Sequence, residues 1–450
     1  MAEQVDVVVL GMGPGGEVAA SRLLAAGKRV AVVERELIGG ECAYWACIPS
    51  KTLLRPVEAR AEAARAAGLA RPTLDWPAVA AYRDYMTRHL DDHAQVDGYR
   101  QQGALVLRGS GRLAGPGEVE VDGQRLRAPA VILATGSDPV IPPIEGLDQV
   151  EVWTNRQATQ LHEVPGRAVV CGGGPVGLEL GQLLARLGCQ VTLVHRADRL
   201  INREDARVGA LIAGELEGDG VDVRVGRRVA RATRTSGGSV VELDDGATVA
   251  CDVLVLASGR TPRAGGLGLE TVGVSVGPRG GVPVDDRCRV TEGLWAIGDV
   301  TGVALFTHIA KYQGRVAADN LLGRARRASY QGVPRVVFTD PEIAAVGLTE
   351  SQARQAGHDV ATATVALPEA LSRPWTYQRD PGGELGLVAD RQRRVLLGAW
   401  AVAPLAGEWI HQAALAVRAE VPVEVLLDQV AQFPTYTEGF LIALEELKLT

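Results

Sequence analysis

Aromatic residues are scarce: Phe, Trp and Tyr make up 4% of the 450 residues, with only four Phe. Few rings and 54 glycines suit a turn-rich α/β protein rather than one packed on large side chains. No uninterrupted apolar run approaches the length of a membrane span, so no membrane partner is expected. A strong positive excess is also missing. The 47 Lys and Arg against 54 Asp and Glu leave a formal net charge of −7, which argues against nucleic acid as a partner. Cysteine is sparse, six in the whole chain, far below the density of a secreted disulfide scaffold. A cytoplasmic protein is expected, with one redox pair and four structural thiols. Cys171 and Cys251 lie in apolar strand-like runs and are expected to be buried.

The redox pair lies in Gly39-Gly40-Glu41-Cys42-Ala43-Tyr44-Trp45-Ala46-Cys47-Ile48-Pro49-Ser50-Lys51. Positions five apart do not face each other well on a regular helix. Near a helix start, where the chain still turns, the two sulfurs can meet. A disulfide there closes so short a loop that it removes little unfolded-state entropy, so it suits opening and closing better than stapling. Tyr44 and Trp45 read as packing residues, or as the wall of a narrow aromatic substrate pocket.

Two dinucleotide fingerprints flank this stretch. Residues 5–10 form a short apolar strand, followed by Gly11-x-Gly13-x-x-Gly16, an Ala-rich helix to Ala26, and a strand from Lys28 ending in Glu34. The glycines let the backbone approach a pyrophosphate at the helix N-terminus, and Glu34 can accept from ribose hydroxyls. The second copy has a strand at 168–171, a loop with Gly172, Gly174 and Gly177, a helix over 178–187 and a strand over 190–195. It ends in His195-Arg196 rather than an acid. An arginine would pair with a 2′-phosphate, so Arg196, with Arg199 or Arg203 in reserve, favours NADPH, with NADH the alternative. Two nucleotides placed to exchange electrons are implied. Apolar strands then run into Ala134-Thr135-Gly136 and Ala257-Ser258-Gly259, where the chain passes close to a cofactor. A further strand ends in Gly298-Asp299, which places Asp299 to bind a hydroxyl.

Residues 55–102 read as helices, one over 55–67 and one over 78–99. His89 and His93 would share a face of the second, beside Asp91, Asp92 and Asp97. That spacing fits a metal, but no third ligand is indicated and a solvated charged face is expected, with no metal. From Arg335 the pattern becomes strands near 336–342, 365, 386–388 and 396–401. Helices near 408–419 and 423–430 follow, giving an α+β unit with no nucleotide fingerprint.

The ordered set resembles class I of the pyridine nucleotide-disulfide oxidoreductases over nearly the whole chain. The residues that carry it are Gly11-x-Gly13-x-x-Gly16 with Glu34, Cys42 to Lys51, Ala134-Thr135-Gly136, Gly172 to Glu179, Gly298-Asp299 and Phe338-Thr339-Asp340-Pro341. The resemblance implies a fold of two Rossmann-like domains, for FAD and NAD(P)H, plus a C-terminal α+β dimerisation domain. The boundaries expected are 1–150 with 269–328 for FAD, 151–268 for NAD(P)H and 329–450 for dimerisation. It also implies a homodimer, Cys47 facing the flavin as charge-transfer thiolate, Cys42 as the thiol that meets substrate, and Lys51 paired with Glu179 near the flavin ring. Pro175 stands where relatives often carry an aromatic gate to the nicotinamide side, which implies more open access.

The main departure is Phe433. The family usually has His-Pro-Thr-x-x-Glu, contributed across the dimer interface to protonate and deprotonate the interchange thiol. This chain has Phe433-Pro434-Thr435-x-x-Glu438. General acid–base catalysis contributes about 10²–10⁴-fold, so disulfide reduction is expected to be impaired by roughly that order. His411 matches a family helix position and is read as structural. A carbon dioxide-fixing member also carries Phe at that place. Mercuric reductases end in a cysteine pair and this sequence in Leu447-Lys448-Leu449-Thr450, so the expectation is against mercury reduction. The implied activity is electron transfer from NADPH through FAD to the Cys42–Cys47 disulfide and an unidentified small-molecule substrate, a disulfide or a thioether-like compound. The alternative is quinone reductase or transhydrogenase activity at the flavin without disulfide turnover.

Overall fold

The computed structural model describes residues 3–449, so Met1, Ala2 and Thr450 lie outside it. The chain divides into two compact units: Met1–Ser50, Ala80–Val140 and Gly259–Ser329 form the first, and Lys51–Val79, Ile141–Ser258 and Tyr330–Thr450 the second. The segments expected to bind NAD(P)H and to dimerise thus fall largely within one unit.

The first unit is built on a six-stranded sheet. Its order is Arg289–Thr291, Leu294–Ala296, Ala130–Leu133, Val7–Leu10, Val30–Glu34 and Leu105–Arg108. All neighbours are parallel except the edge pair Arg289–Thr291 and Leu294–Ala296. Val7–Leu10 and Ala130–Leu133 are buried at every position, as strands covered on both faces must be. Helix Pro14–Ala25 and helix Thr307–Leu321 bury small residues, which lets their backbones approach. A second sheet orders Glu3–Gln4, Gln124–Arg127, Glu118–Val121 and Gly111–Gly115.

The helix expected over 78–99 is broken. Trp76–Met86 and His93–Gln101 are separate helices, and Arg88, His89 and Leu90 between them have positive φ. His89 and His93 therefore do not share a helix face. The break is held by Thr87, whose hydroxyl donates to Arg83 O at 3.1 Å, and by Asp92, which accepts from Ile38 N at 2.7 Å and pairs with Arg108.

The second unit contains a five-stranded parallel sheet ordered Val152–Trp153, Val253–Leu256, Arg167–Cys171, Gln190–His195 and Asp222–Val225. The expected strand and helix of the second fingerprint are both present, the helix as Pro175–Arg186 with Pro175 in its first turn. An antiparallel sheet orders Pro334–Val337, Glu342–Gly347, Val395–Ala403, Glu384–Asp390 and Val360–Ala366. Val395–Ala403 is buried throughout. Helices His411–Ala419 and Glu438–Glu445 cover this sheet, and the Trp409 ring stacks on Tyr436 at 6.1 Å. The helix expected over 423–430 is shorter, Val423–Leu427. Among the described residues no helix is long and apolar enough to cross a membrane.

Candidate active site

In the first unit, the turn after strand Val7–Leu10 is fixed by close approach. Gly11 has φ +98°, and a Cβ there would lie 2.4 Å from Ala134 O; one on Gly16 would lie 2.1 Å from Gly11 O. Gly13, at the start of helix Pro14–Ala25, faces open space. The N–H groups of a first helical turn have no intrahelical acceptor, so this helix start is a setting that favours a phosphate. Glu34 closes the turn: its carboxylate accepts from Met12 N and Glu36 N, each at 2.8 Å.

On the neighbouring strand end, Ala134 N donates to Leu10 O at 2.7 Å, Thr135 Oγ1 donates to Arg263 O at 2.8 Å, and Gly136 has φ +79°. Gly298 N donates to Gln313 Oε1, and Asp299 accepts from Ser137 Oγ, both at 2.6 Å. Burial pushes the Asp299 carboxyl above its ordinary range, with Ser137 and Arg260 acting against it. Gly259 has φ +118° and its carbonyl accepts from Val140 N, so it opens a segment of the first unit rather than closing the second. Ser137, Arg260, Arg263 and Gln313 were not foreseen; polar residues far apart in sequence carry no local spacing signal.

The redox stretch lies against this turn. Gly39 N donates to Met12 O at 2.7 Å, and a Cβ on Gly40 would lie 2.9 Å from Gly13 Cα. Cys42 belongs to the short helix Gly40–Tyr44, and Cys47 begins the helix Cys47–Arg65. The break at Trp45 turns the two cysteines toward each other, and they stand as free thiols joined by a hydrogen bond. The Cys47 sulfur also lies 3.3 Å from Thr307 Oγ1, at the first position of helix Thr307–Leu321. The Cys42 thiol is pushed far above its ordinary range, first by its hydrogen bond to Cys47 and then by burial; Thr307 and Lys311 act in the opposite direction. Negative charge is favoured on Cys47, beside a hydroxyl and the positive end of a helix.

The aromatic-pocket reading of Tyr44 is corrected. Its ring is fully buried and its hydroxyl donates to Ile38 O at 3.1 Å, so it packs the unit interior. Cys171 is only half-buried, 3.5 Å from Ser258 Oγ, whereas Cys251 is fully buried.

In the second unit the geometry of the first turn recurs. A Cβ on Gly172 would lie 2.2 Å from Ala257 O and one on Gly177 1.8 Å from Gly172 O, while Gly174 faces open space at the start of its helix. His195 Nδ1 accepts from Gly173 N at 3.1 Å. Arg196 and Arg203 are exposed and make no ion pair among the described residues. Arg199 is not in reserve, because it donates to Asn202 O and Glu204 O of its own loop. Lys51 Nζ lies 2.6 Å from Glu179 Oε2 and 4.7 Å from the Phe338 ring centre; Glu179 Oε1 accepts from Phe338 N at 3.0 Å. Phe433 is 73% exposed, and Glu438 accepts from Thr435 N at 3.1 Å.

A family model described as pyridine nucleotide-disulphide oxidoreductase matches residues 5–332, and one described as the dimerisation domain of that family matches 333–444. The chain belongs to the class I pyridine nucleotide-disulfide oxidoreductases. Within that family it is 38% identical over 457 residues to dihydrolipoyl dehydrogenase of Thermus scotoductus, covering 98% of this chain and 97% of the relative. Mercuric reductase of Streptomyces lividans is 37% identical over 457 residues, covering 97% and 95%. Among solved structures, the HOCl-induced flavoprotein disulfide reductase RclA of Escherichia coli superimposes with a TM-score of 0.87 at 28% identity, covering 98% of this chain and 99% of that one. LpdA of Mycobacterium tuberculosis gives 0.87 at 29%, covering 99% of each. The family is FAD-dependent, uses a pyridine nucleotide and couples the two to a disulfide, so the chain is an enzyme of that class.

Proposed function

We propose that this chain is an NADPH-dependent, FAD-containing oxidoreductase whose Cys42–Cys47 pair is its sulfur redox centre and works on a small-molecule acceptor. The observation that carries the reading is the shared contact of Cys42, Cys47 and Thr307. It holds the two thiols in hydrogen-bond contact with each other and with one hydroxyl. The residues present fit the two cofactors. Gly11, Gly13 and Gly16 would hold the FAD pyrophosphate, with Glu34, Ala134, Thr135, Gly136, Gly259, Gly298 and Asp299 around the rest of it. Gly172, Gly174 and Gly177 would hold the NADPH pyrophosphate. Exposed Arg196 would pair with the 2′-phosphate, since no carboxylate among the described residues neutralises it. Bound FAD supplies the relay between nicotinamide hydride and sulfur. Lys51, fixed by Glu179, offers a cation in the turn after Cys47. Glu438 steadies the turn that carries Phe433.

A homodimer is part of the reading. Leu415, Val425, Val430 and Phe433 are exposed apolar side chains within the segment matched by the dimerisation model. Sedimentation at micromolar concentration tests it, and a monomer would remove it.

The redox assignment is tested by absorbance. After reduction with NADPH, the Cys42→Ser protein should keep a long-wavelength thiolate-to-flavin band and the Cys47→Ser protein should lose it. An unchanged band in Cys47→Ser would overturn the assignment.

A further inference from the structure

Lys311 lies on helix Thr307–Leu321 one turn past Thr307, on the same face. The Thr307 hydroxyl is 3.3 Å from Cys47 Sγ and also hydrogen-bonds Cys42. Lys311 therefore follows Thr307 on the helix face that carries the contact with the sulfur pair, and helical side chains lean back toward the N-terminus, the Thr307 end. Its charge acts on Cys42 in the direction that favours a thiolate, and also on the Glu17 carboxylate of helix Pro14–Ala25. Among the described residues no carboxylate lies within ion-pair distance of Lys311 Nζ, and the side chain is exposed. Arg88, another cation near Glu17, is engaged elsewhere: it donates to Tyr44 Oη at 3.4 Å.

Composition adds to this. Only four of the 47 basic residues are lysine, at positions 28, 51, 311 and 448. In a chain that otherwise uses arginine, one of these stands beside the cysteine pair, and an ammonium is a compact point charge where a guanidinium is broad and delocalised. Cys42 has the greater need of such a charge. It is half-buried, its hydrogen bond to Cys47 and its burial both push its thiol up, and only as a thiolate can it attack a sulfur or any other electrophile.

We propose that Lys311 is a positioning residue of the redox pair: its ammonium holds negative charge on Cys42 and selects an anionic acceptor over a neutral one. The inference rests on the reading of Cys42 as the thiol that meets the acceptor. An anionic acceptor approaching Cys42 meets a cation that has no carboxylate within ion-pair distance among the described residues. A neutral acceptor gains nothing from that field.

The test is peptide-resolved alkylation of Cys42 in the reduced holoenzyme, with anionic iodoacetate and neutral iodoacetamide, from about pH 6 to 9. Lys311→Met should slow alkylation near neutral pH by about fivefold with iodoacetamide and by more with iodoacetate, as expected for loss of one partly screened charge. Lys311→Arg should stay within about twofold of the parent, because it restores the charge. Lys311→Gln gives a second neutral variant, and the FAD content of each protein reports its folding. Arg315→Met, one further turn along, should leave Cys42 unchanged. Parent rates and parent reagent preference in both neutral variants would overturn the proposal, as would an arginine variant as slow as the methionine one. Failure of the redox reading itself shows separately, as an unchanged absorbance band in Cys47→Ser.

Discussion

Gly177→Ala separates the two nucleotide turns. An added Cβ would lie 1.8 Å from Gly172 O, a backbone atom that cannot rotate away. Carbon contacts become comfortable only beyond about 3.4 Å, so helix Pro175–Arg186 and the end of strand Arg167–Cys171 must part by roughly 1.5 Å. Overpacking of this kind costs about 1–3 kcal/mol, and the N–H groups aimed at a pyrophosphate move with the helix. NADP⁺ affinity should fall by about ten- to a hundredfold, the equivalent of that cost. Calorimetric titration of the purified holoenzyme measures it, and visible absorbance per chain measures retained FAD. Gly16→Ala is the counterpart, with its Cβ 2.1 Å from Gly11 O. It should lose FAD. Gly174→Ala completes the set: its Cβ meets nothing within 4 Å, so thermal stability should be unchanged while NADP⁺ binding weakens. Loss of FAD with intact NADP⁺ binding in Gly177→Ala would reverse the cofactor assignment. Unchanged NADP⁺ affinity would refute the close-approach argument.

Three further outcomes are expected. Arg196→Glu should weaken NADPH relative to NADH by about ten- to a hundredfold, the worth of a charge-assisted pair; equal KM changes for the two cofactors would place the 2′-phosphate elsewhere. Glu342 is pushed up to about 7 from 4.5, chiefly by burial, with Gly407 N donating to it at 2.7 Å and opposing the shift. The folded chain therefore keeps a proton that the unfolded chain releases, and the stability contributed is full below pH 4.5 and lost as pH rises toward 7. Glu342→Gln should accordingly be near neutral at low pH and stabilising by about 1–3 kcal/mol above neutrality; equal changes in melting midpoint at both ends would exclude the mechanism. Phe433→His should raise turnover with disulfides by about tenfold or more, if proton transfer limits it. No gain with any disulfide tested would remove proton deficiency as the explanation.

Both nucleotide turns were legible because their cause is local. Gly11, Gly16, Gly172 and Gly177 each meet a backbone carbonyl where a side chain would need to be, and that demand writes itself into sequence as spacing. The strand ending at His195 was legible from its own largely apolar run, Val191 to Val194. The break at Thr87–Asp92 was not. Its residues have good helical spacing, and what interrupts them is Ile38 and Arg108 reaching Asp92 from other parts of the chain. For Tyr44 the packing reading holds and the pocket reading falls for a related reason: adjacency to a cysteine gives position along the chain, but burial is decided by Ile38 and the surrounding interior. Arg199 looked like a free cation until its loop folded back to give it two carbonyl partners.

Thr307 shows most directly where reading in sequence stops. It stands 260 positions from Cys47, in a stretch with no motif of its own. Without it only the family resemblance tells the two cysteines apart, and their own residues read as two thiols near a helix start. With it they are not equivalent, because the hydroxyl and the helix end lie beside Cys47, a setting that favours negative charge there, while the bond to Cys47 and burial push the Cys42 thiol up. That asymmetry has a chemical consequence. Under the proposed roles, Cys42 is the sulfur that must attack, and it is the one whose thiol the pair and its burial push up. An acceptor can be reduced only if something near Cys42 makes its proton cheap to lose. The family pattern would use a histidine where this chain has Phe433, and the first unit offers Lys311 on the same helix as Thr307. Replacing a proton carrier with a fixed charge would exchange acid–base reach for selectivity toward anions. Comparing Phe433→His with Lys311→Met would therefore separate how fast the pair turns over from what it prefers to meet.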